Sequence, residues 1–156
     1  MFTVPINDRH FEDYVVGAVH EFGSIEVTEA EIIDFAKRYD PQPFHIDPAA
    51  AQNSIFGGVI ASGWYTASMM MRLLVDHYIS AVASLGSPGI DELRWIKPVR
   101  PGDALSVRVT VIESKRSRSK PDRGIFRSFI EVLNQEKEVV MSLKAISFML
   151  CRDAPQ

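Results

Sequence analysis

An aspartate and a histidine lie five positions apart in a proline-rich segment, Asp40-Pro-Gln-Pro-Phe-His45. A bend in this segment would bring the carboxylate and the imidazole to one point. Such a pair around one water molecule forms a general acid–base pair, and histidine is the side chain that titrates most easily near neutral pH. The residue types alone leave a structural alternative open, in which Asp40 caps a turn and His45 is an ordinary loop histidine.

The same segment offers oxygen and nitrogen ligands to a metal ion, because Asp40, His45 and Asp47 follow one another closely. A zinc site normally uses more histidines or cysteines at regular spacing. The chain has no such set, and we therefore predict no metal.

A second feature is a segment that could stabilise negative charge. The glycine-containing segment Gly57-Gly58-Val-Ile-Ala-Ser62-Gly63 leads directly into a long apolar stretch, Trp64–Tyr78. If this stretch is a helix, its first turn offers free N–H groups and the positive end of the helix dipole. Gly63 has no side chain to shield its N–H, which predicts a donor for a developing oxyanion. Alternatively, these glycines only allow a tight turn and close packing.

The elements that must position these groups follow from the hydrophobic pattern. Residues Tyr14 to Phe22 are typical of a strand. Thr28-Glu-Ala-Glu31 matches a capping box and predicts a helix that ends near Tyr39, before two prolines. Asp47-Pro48 begins a second, short helix. The stretch Trp64–Tyr78 is apolar nearly all round until Arg72, which predicts a helix buried on every side.

The second half of the chain changes to a period of two, which is typical of strands. Strands are predicted around Arg94–Ile96, over Leu105–Val111, and over two long runs, Ile125–Leu133 and Val139–Leu150, joined by a turn at Asn134–Lys137. Antiparallel strands with one apolar helix predict an α+β fold in which the sheet curves around that helix.

Length and composition limit the function classes. The chain has 156 residues, 46% of them hydrophobic, and a formal net charge of −3. This size suits one domain, predicted over residues 1–156, and the charge does not favour binding to nucleic acid. One cysteine, Cys151, cannot form an internal disulfide. The chain shows neither a signal peptide nor a membrane span, and we predict a cytoplasmic protein.

The segment Asp40–Gly63 resembles the hydratase signature of the MaoC-like family, which includes the (R)-specific enoyl-CoA hydratases. That signature is approximately Asp-x-Asn-Pro-apolar-His-x-Asp, then a phenylalanine, an apolar pair and His-Gly before a long helix. The corresponding residues are Asp40-Pro-Gln-Pro-Phe-His-Ile-Asp47, Phe56, Ile60-Ala61 and Ser62-Gly63. Gln42 replaces the usual asparagine, and Ser62 replaces the common histidine. Lys97-Pro-Val-Arg-Pro-Gly-Asp103 also resembles a strand–turn signal of the family, and the resemblance covers nearly the whole chain.

The resemblance implies a hot-dog fold, a curved antiparallel sheet wrapped around a central helix. It implies hydration or dehydration of an acyl-CoA or acyl-carrier-protein thioester by a homodimer or a dimer of dimers, with no cofactor. The implied catalytic groups are Asp40, His45 and the N–H of Gly63. The residues expected at the substrate are Gln42, Phe44, Ser62, Trp64 and Met71.

Two other functions stay open at the level of sequence. One is another hot-dog enzyme, a thioesterase or an acyl-carrier-protein dehydratase; a thioesterase needs a base aimed at the carbonyl, and the spacing of Asp40 and His45 favours hydration. The other is a non-catalytic acyl-binding subunit, which predicts loss of the acid or the base. A basic segment, Lys115–Lys120, is interpreted as a solvated hairpin tip, with attraction of CoA phosphates as the alternative.

Overall fold

A computed structural model that describes residues 2–153 contains one antiparallel sheet of five strands. The strands are β1 (Val19–Glu26), β2 (Ile90–Trp95), β3 (Ala104–Arg116), β4 (Arg123–Leu133) and β5 (Val139–Leu150). The helices are α1 (Glu29–Tyr39), α2 (Pro43–Ile46), α3 (Pro48–Gln52) and α4 (Gly63–His77). Two short 3-10 turns, Ile6–Asp8 and Phe11–Asp13, precede the first strand.

The order of the strands across the sheet is β1-β3-β4-β5-β2, and every neighbouring pair is antiparallel. Alternate residues of β3 are fully buried, and they are Leu105, Val107, Val109 and Val111. Since successive side chains of a strand point to opposite faces, this alternation gives the sheet one buried face. The predicted α+β arrangement is confirmed, and β1 and β2 are the two edges of the sheet.

Helix α4 packs against the buried face of the sheet with one side only. Tyr65, Met70 and Leu73 are buried, whereas Trp64 and Val75 are more than half exposed. The prediction that this helix is buried all round was therefore wrong, because the sheet covers one side and leaves an apolar stripe open. Among residues 2–153, no helix is both long enough and apolar enough to cross a bilayer.

Strand β1 bends where it crosses α4. The β1–β3 register shifts between Phe22 and Ile25, and Gly23 has a φ of +81° at this bulge. A Cβ atom at Gly23 would lie 2.5 Å from Leu73 Cδ2. Glycine is therefore required here both for the backbone conformation and for the close approach of strand and helix.

The segment before β1 caps the C-terminal end of α4. Tyr14 Oη donates a hydrogen bond to Tyr78 O (2.7 Å) and accepts one from Ser80 N (3.0 Å). The Arg9 guanidinium donates to His77 O (2.7 Å). The prediction of a strand from Tyr14 was wrong at this end, because Tyr14 turns inward to satisfy these groups and the strand begins at Val19.

The predicted helix over residues 29–39 is confirmed, with Thr28 Oγ1 accepting from Glu31 N at 3.2 Å. The reciprocal half of the capping box is replaced by another contact, because Glu31 Oε2 accepts a hydrogen bond from the Tyr65 hydroxyl at 3.1 Å. This contact ties α1 to α4. The short helix after Asp47 is also confirmed, and the Asp47 carboxylate accepts from the N–H groups of Ala49 and Ala50.

Candidate active site

Three chain segments meet at the N-terminal end of α4. Asp40 is the residue at which α1 ends, His45 lies in α2, and Ser62 is the N-cap of α4. Two prolines follow Asp40 and keep the chain from continuing α1, so that the next turn folds back. The backbone of this turn is anchored by a hydrogen bond from Ile60 N to Phe44 O, 3.2 Å long.

Asp40 and His45 converge, with Asp40 Oδ2 3.2 Å from His45 Nε2. The other ring nitrogen, Nδ1, lies 2.6 Å from Ile60 O. A carbonyl oxygen only accepts hydrogen bonds, so Nδ1 carries a proton and Nε2 is the ring nitrogen that can exchange one. A proton arriving at this nitrogen would be held between the imidazole and the carboxylate. His45 is 5% exposed, which keeps this exchange away from bulk solvent.

The Asp40 carboxylate is held in its ionised form. Ser62 Oγ donates to Oδ2 (2.7 Å) and Gln42 Nε2 donates to Oδ1 (2.7 Å). Burial alone would raise the pKa of Asp40, but the two hydrogen bonds and the nearby His45 outweigh burial and lower that pKa below its ordinary value of 3.8. Hydrogen bonds to the charged form of a carboxylate act in this direction.

Gly63, the first residue of α4, presents the helix N-terminus to the site. Its N–H has no hydrogen-bond acceptor among residues 2–153. A Cβ atom at this position would lie 2.2 Å from Trp95 Cε2, so only glycine fits beside the indole. The free N–H and the helix dipole together favour a negatively charged oxygen at this point.

A pocket of about 260 Å³ brings His45 and Gly63 together. Its other lining residues come from the segment before α4, from α4 itself, from the end of β2 with the turn after it, and from β5; they include Phe56, Ile60, Thr66, Trp95, Lys97, Val99 and Val140. The walls are mainly apolar, and polar groups are few. This composition suits an acyl group whose reactive end lies at His45.

The structure places the other predicted site residues in different environments. Gln42 and Ser62 bond to Asp40 and do not line the pocket. Phe44 packs its ring against His45, with the ring centroids 4.5 Å apart. Trp64 is exposed and packs edge-on against Trp95, and Met71 lines a separate cavity. A role for these five residues in substrate binding stays a prediction.

Trp95, Thr66 and Lys97 line the pocket but were not predicted as site residues from the sequence. Trp95 was expected in a strand, but nothing in the local pattern showed that β2 ends beside the first turn of α4. The only signal was the segment Lys97–Asp103, whose resemblance to the family marked it without showing what it contacts. Lys97 lines this pocket and forms an ion pair with Glu138.

The basic segment Lys115–Lys120 lies at the tip of the β3–β4 hairpin. The pocket at His45 is near the opposite end of the sheet, because two of its lining residues are Trp95, the last residue of β2, and Val140, the second residue of β5. The interpretation of Lys115–Lys120 as a hairpin tip is confirmed. Within one chain this segment is remote from the pocket at His45.

Comparison with known proteins agrees with the motif. A family model described as MaoC like domain matches residues 13–128. The 3-hydroxybutyryl-CoA dehydratase of Methylorubrum extorquens is 33% identical over 111 residues, which cover 67% of this chain and 64% of that protein.

Solved structures show the same architecture. The MaoC-like dehydratase from Rhodospirillum rubrum gives a TM-score of 0.84 at 41% identity, covering 91% of this chain and 97% of that chain. The (R)-hydratase from A. caviae, described as involved in PHA biosynthesis, gives a TM-score of 0.65 at 25% identity, covering 85% of this chain and 95% of that chain.

Proposed function

The chain belongs to the MaoC-like domain family, and from this premise we propose that it adds water reversibly across the 2,3-double bond of an enoyl thioester. The resemblance seen in the sequence and the hot-dog fold are confirmed. The observation that carries the proposal is the Asp40–His45 pair, 3.2 Å apart, beside a pocket that also contains the N-terminus of α4.

In the proposed reaction the Asp40–His45 pair takes one proton from a water molecule. The water oxygen forms a bond to C3 of the enoyl group, and the π electrons of the double bond move toward the thioester oxygen. The pair then returns the proton to C2, which gives the 3-hydroxyacyl thioester. Atoms and charge balance without an oxidant or a reductant, and dehydration is the same sequence in reverse.

Within the pair, the carboxylate and the imidazole have different tasks. The pKa of Asp40 is lowered, so Asp40 stays ionised at neutral pH. Since Nδ1 of His45 donates its hydrogen bond to Ile60 O, the proton from water arrives between Nε2 and Asp40. The negative carboxylate stabilises the imidazolium at this stage, which lowers the energy of the charge-separated transition state.

The thioester oxygen gains negative charge as the water adds. The Gly63 N–H is the donor that we assign to it, because Gly63 and His45 line the same pocket. A single preorganised donor of this kind contributes about 3–4 kcal/mol of transition-state stabilisation. CoA is the proposed carrier, supported by the name of the Methylorubrum relative, and an acyl-carrier protein is the alternative.

The test separates hydration from thioester cleavage in one assay. Purified protein is mixed with trans-2-butenoyl-CoA and longer enoyl-CoAs, and the absorbance of the conjugated thioester is followed together with the release of free thiol. Hydration removes the absorbance without releasing thiol, which is the expected result. Thiol release would show a thioesterase, and no change with any enoyl-CoA would favour a non-catalytic acyl-binding protein.

We propose that the chain forms a homodimer through α4 and the free edge of β2. Trp64, Met71 and Val75 form an exposed apolar stripe on α4, and Ile90 and Trp95 are exposed on β2. An open strand edge beside exposed apolar side chains is a typical site of association.

A further inference from the structure

A second cavity lies between α4 and the sheet, separate from the pocket at His45. It measures about 110 Å³, and most of its walls are apolar side chains, among them Met70, Leu74, Ile130, Leu143 and Ala145. Its polar lining residues are Tyr78, Ser87, Ser128 and Ser147. The hydroxyls of Tyr78 and Ser128 are hydrogen-bonded to each other at 2.8 Å, and Ser87 Oγ donates to Gly89 O at 3.0 Å. The cavity is therefore suited to a hydrocarbon group.

The two cavities lie along one face of α4. Gly63 and Thr66 line the pocket at His45, whereas Met70 and Leu74 line the second cavity. Residues spaced by three or four positions project from the same side of a helix. Strand β5 also contributes to both cavities, through Val140 to one and through Leu143 to the other. The cavities are successive parts of one seam between α4 and β5.

Met70 marks the boundary between the two parts of the seam. It lies one turn beyond Thr66, which is roughly 6 Å along the helix axis, and it is 7% exposed. Methionine is unbranched and has three rotatable bonds, so its side chain changes position without a change in the backbone. Rotation of this side chain would join the two cavities.

Helix geometry sets the chain length that reaches the second cavity. From Gly63, Met70 lies about 10 Å and Leu74 about 16 Å along the axis. An extended chain gains roughly 1.2 Å per bond, because a residue with three backbone bonds spans at most about 3.3–3.6 Å. An acyl chain that starts at the Gly63 N–H therefore passes Met70 at about its eighth bond and Leu74 at about its thirteenth.

We propose that this cavity binds the distal part of a straight acyl chain, so that the substrates are medium-chain enoyl thioesters of roughly eight to twelve carbons. The proposal rests on the hydratase function and names its substrate class. Each methylene group buried against the mainly apolar walls of the cavity strengthens binding.

The experiment measures kcat/KM for butenoyl-, octenoyl-, decenoyl- and hexadecenoyl-CoA. We expect the decenoyl substrate to exceed the butenoyl substrate at least about tenfold, as burial of several methylene groups requires. The octenoyl substrate, which only reaches Met70, should lie between them. Ala145→Phe fills the second cavity and should lower the ratio of decenoyl to butenoyl activity about tenfold or more. Met70→Ala widens the boundary and should raise that ratio.

The matched control is Ile146→Phe, because Ile146 is the next residue of β5, faces the opposite side of the sheet and lines neither cavity. It should leave the ratio unchanged. Activity confined to the butenoyl substrate would overturn the acyl-chain site while the hydratase function stands. A decenoyl preference that neither Ala145→Phe nor Met70→Ala alters would also overturn it.

The cavity reaches the surface at Met71 and Ile90, on the face proposed for dimerisation. A side chain of a second copy is therefore the competing occupant. If Ala145→Phe weakens self-association in sedimentation experiments and leaves the chain-length profile unchanged, the acyl-chain assignment is wrong. If it changes the profile and leaves the association unchanged, the assignment is supported.

Discussion

Ser62 serves two structural purposes with one hydroxyl group. Its oxygen donates to Asp40 Oδ2 at 2.7 Å and accepts from Trp64 N at 3.3 Å. The same residue therefore caps α4 and orients the carboxylate that faces His45. Since Ser62 is fully buried, no water is available to replace these hydrogen bonds when the hydroxyl is removed.

Ser62→Ala should move the acid limb of the kcat/KM profile to higher pH. Asp40 must be ionised to act, and the Ser62 hydrogen bond is one of the causes of its lowered pKa. A carboxylate with a lowered pKa stabilises the fold above its unfolded pKa, and this contribution is lost as the pH falls through the folded pKa. The variant should therefore also lose about 0.5–2 kcal/mol of stability at neutral pH, because it loses both the hydrogen bond to Asp40 and the cap of α4.

Ser62→Thr keeps the hydroxyl and is the control for this experiment. It should restore the acid limb toward that of the wild type in the same kinetic titration. An unchanged limb in Ser62→Ala would show that the hydroxyl does not set the ionisation of Asp40.

Gly63→Ala should lower activity and stability together. The added methyl group would lie 2.2 Å from Trp95 Cε2, which forces the indole or the helix to move and costs about 1–3 kcal/mol. Chemical unfolding of Gly63→Ala in the wild-type and Trp95→Ala backgrounds measures this contact. The penalty should shrink once the indole is absent, and an equal penalty in both backgrounds would contradict the assigned clash.

For individual residues of the site, the sequence predicted which side chains are present but only part of their arrangement. The spacing of Asp40 and His45 predicted their convergence, because two prolines restrict the backbone between them. The bonds from Ser62 and Gln42 to Asp40 were not foreseen, since they depend on how the start of α4 packs against the end of α1.

At the scale of elements, α4 is fixed at both ends by segments distant in sequence. Its N-terminus meets the Asp40 loop, and its C-terminal carbonyls accept hydrogen bonds from Arg9 and Tyr14. The helix has fifteen residues, or roughly 22 Å. Its two ends therefore contribute separately, one to the proposed chemistry and the other to stability.

Tyr14→Phe should destabilise the protein by about 1–3 kcal/mol without lowering kcat/KM. The change leaves the buried Ser80 N–H without its acceptor, which carries this cost. Tyr39→Phe is the matched control, because Tyr39 is 68% exposed. Urea unfolding and enoyl-CoA kinetics on both variants provide the test; a loss of activity at full stability in Tyr14→Phe would contradict the separation of the two ends.

Local patterns predicted most of the elements. Alternation identified β3, β4 and β5, and the capping residues located α1 and α3. The predicted start of β1 and the predicted burial of α4 on every side were wrong for one reason. Both depend on which apolar side chains find a partner in the folded chain, and composition does not carry that information.

At the scale of the whole molecule, the sheet has two unlike edges. Next to β2, the edge continues into the exposed apolar stripe of α4, whereas β1 lies at the other side of the sheet. A symmetric pair formed through β2 would cover Trp64, Val75 and Ile90 on both copies. The site pocket, which contains Trp95, lies beside this proposed interface.

Val75→Glu should convert the protein to a monomer, because a charge in the centre of an apolar interface is costly to desolvate. Val19→Glu is the control: Val19 is as exposed as Val75, at 52%, but lies on β1. Light scattering coupled to size-exclusion chromatography measures the mass of each. Dissociation by Val19→Glu alone, or by neither variant, would place the interface elsewhere.

The most direct test of the account is the rate of enoyl-CoA hydration by Asp40→Asn and His45→Gln, measured against Asp47→Asn. Asp47 supplies a matched carboxylate in the same loop, and asparagine caps a helix as well as aspartate does. Loss of general acid–base catalysis should lower kcat about 10²–10⁴-fold in the first two variants, and Asp47→Asn should retain the wild-type rate. Full activity in folded Asp40→Asn or His45→Gln would contradict the proposed chemistry.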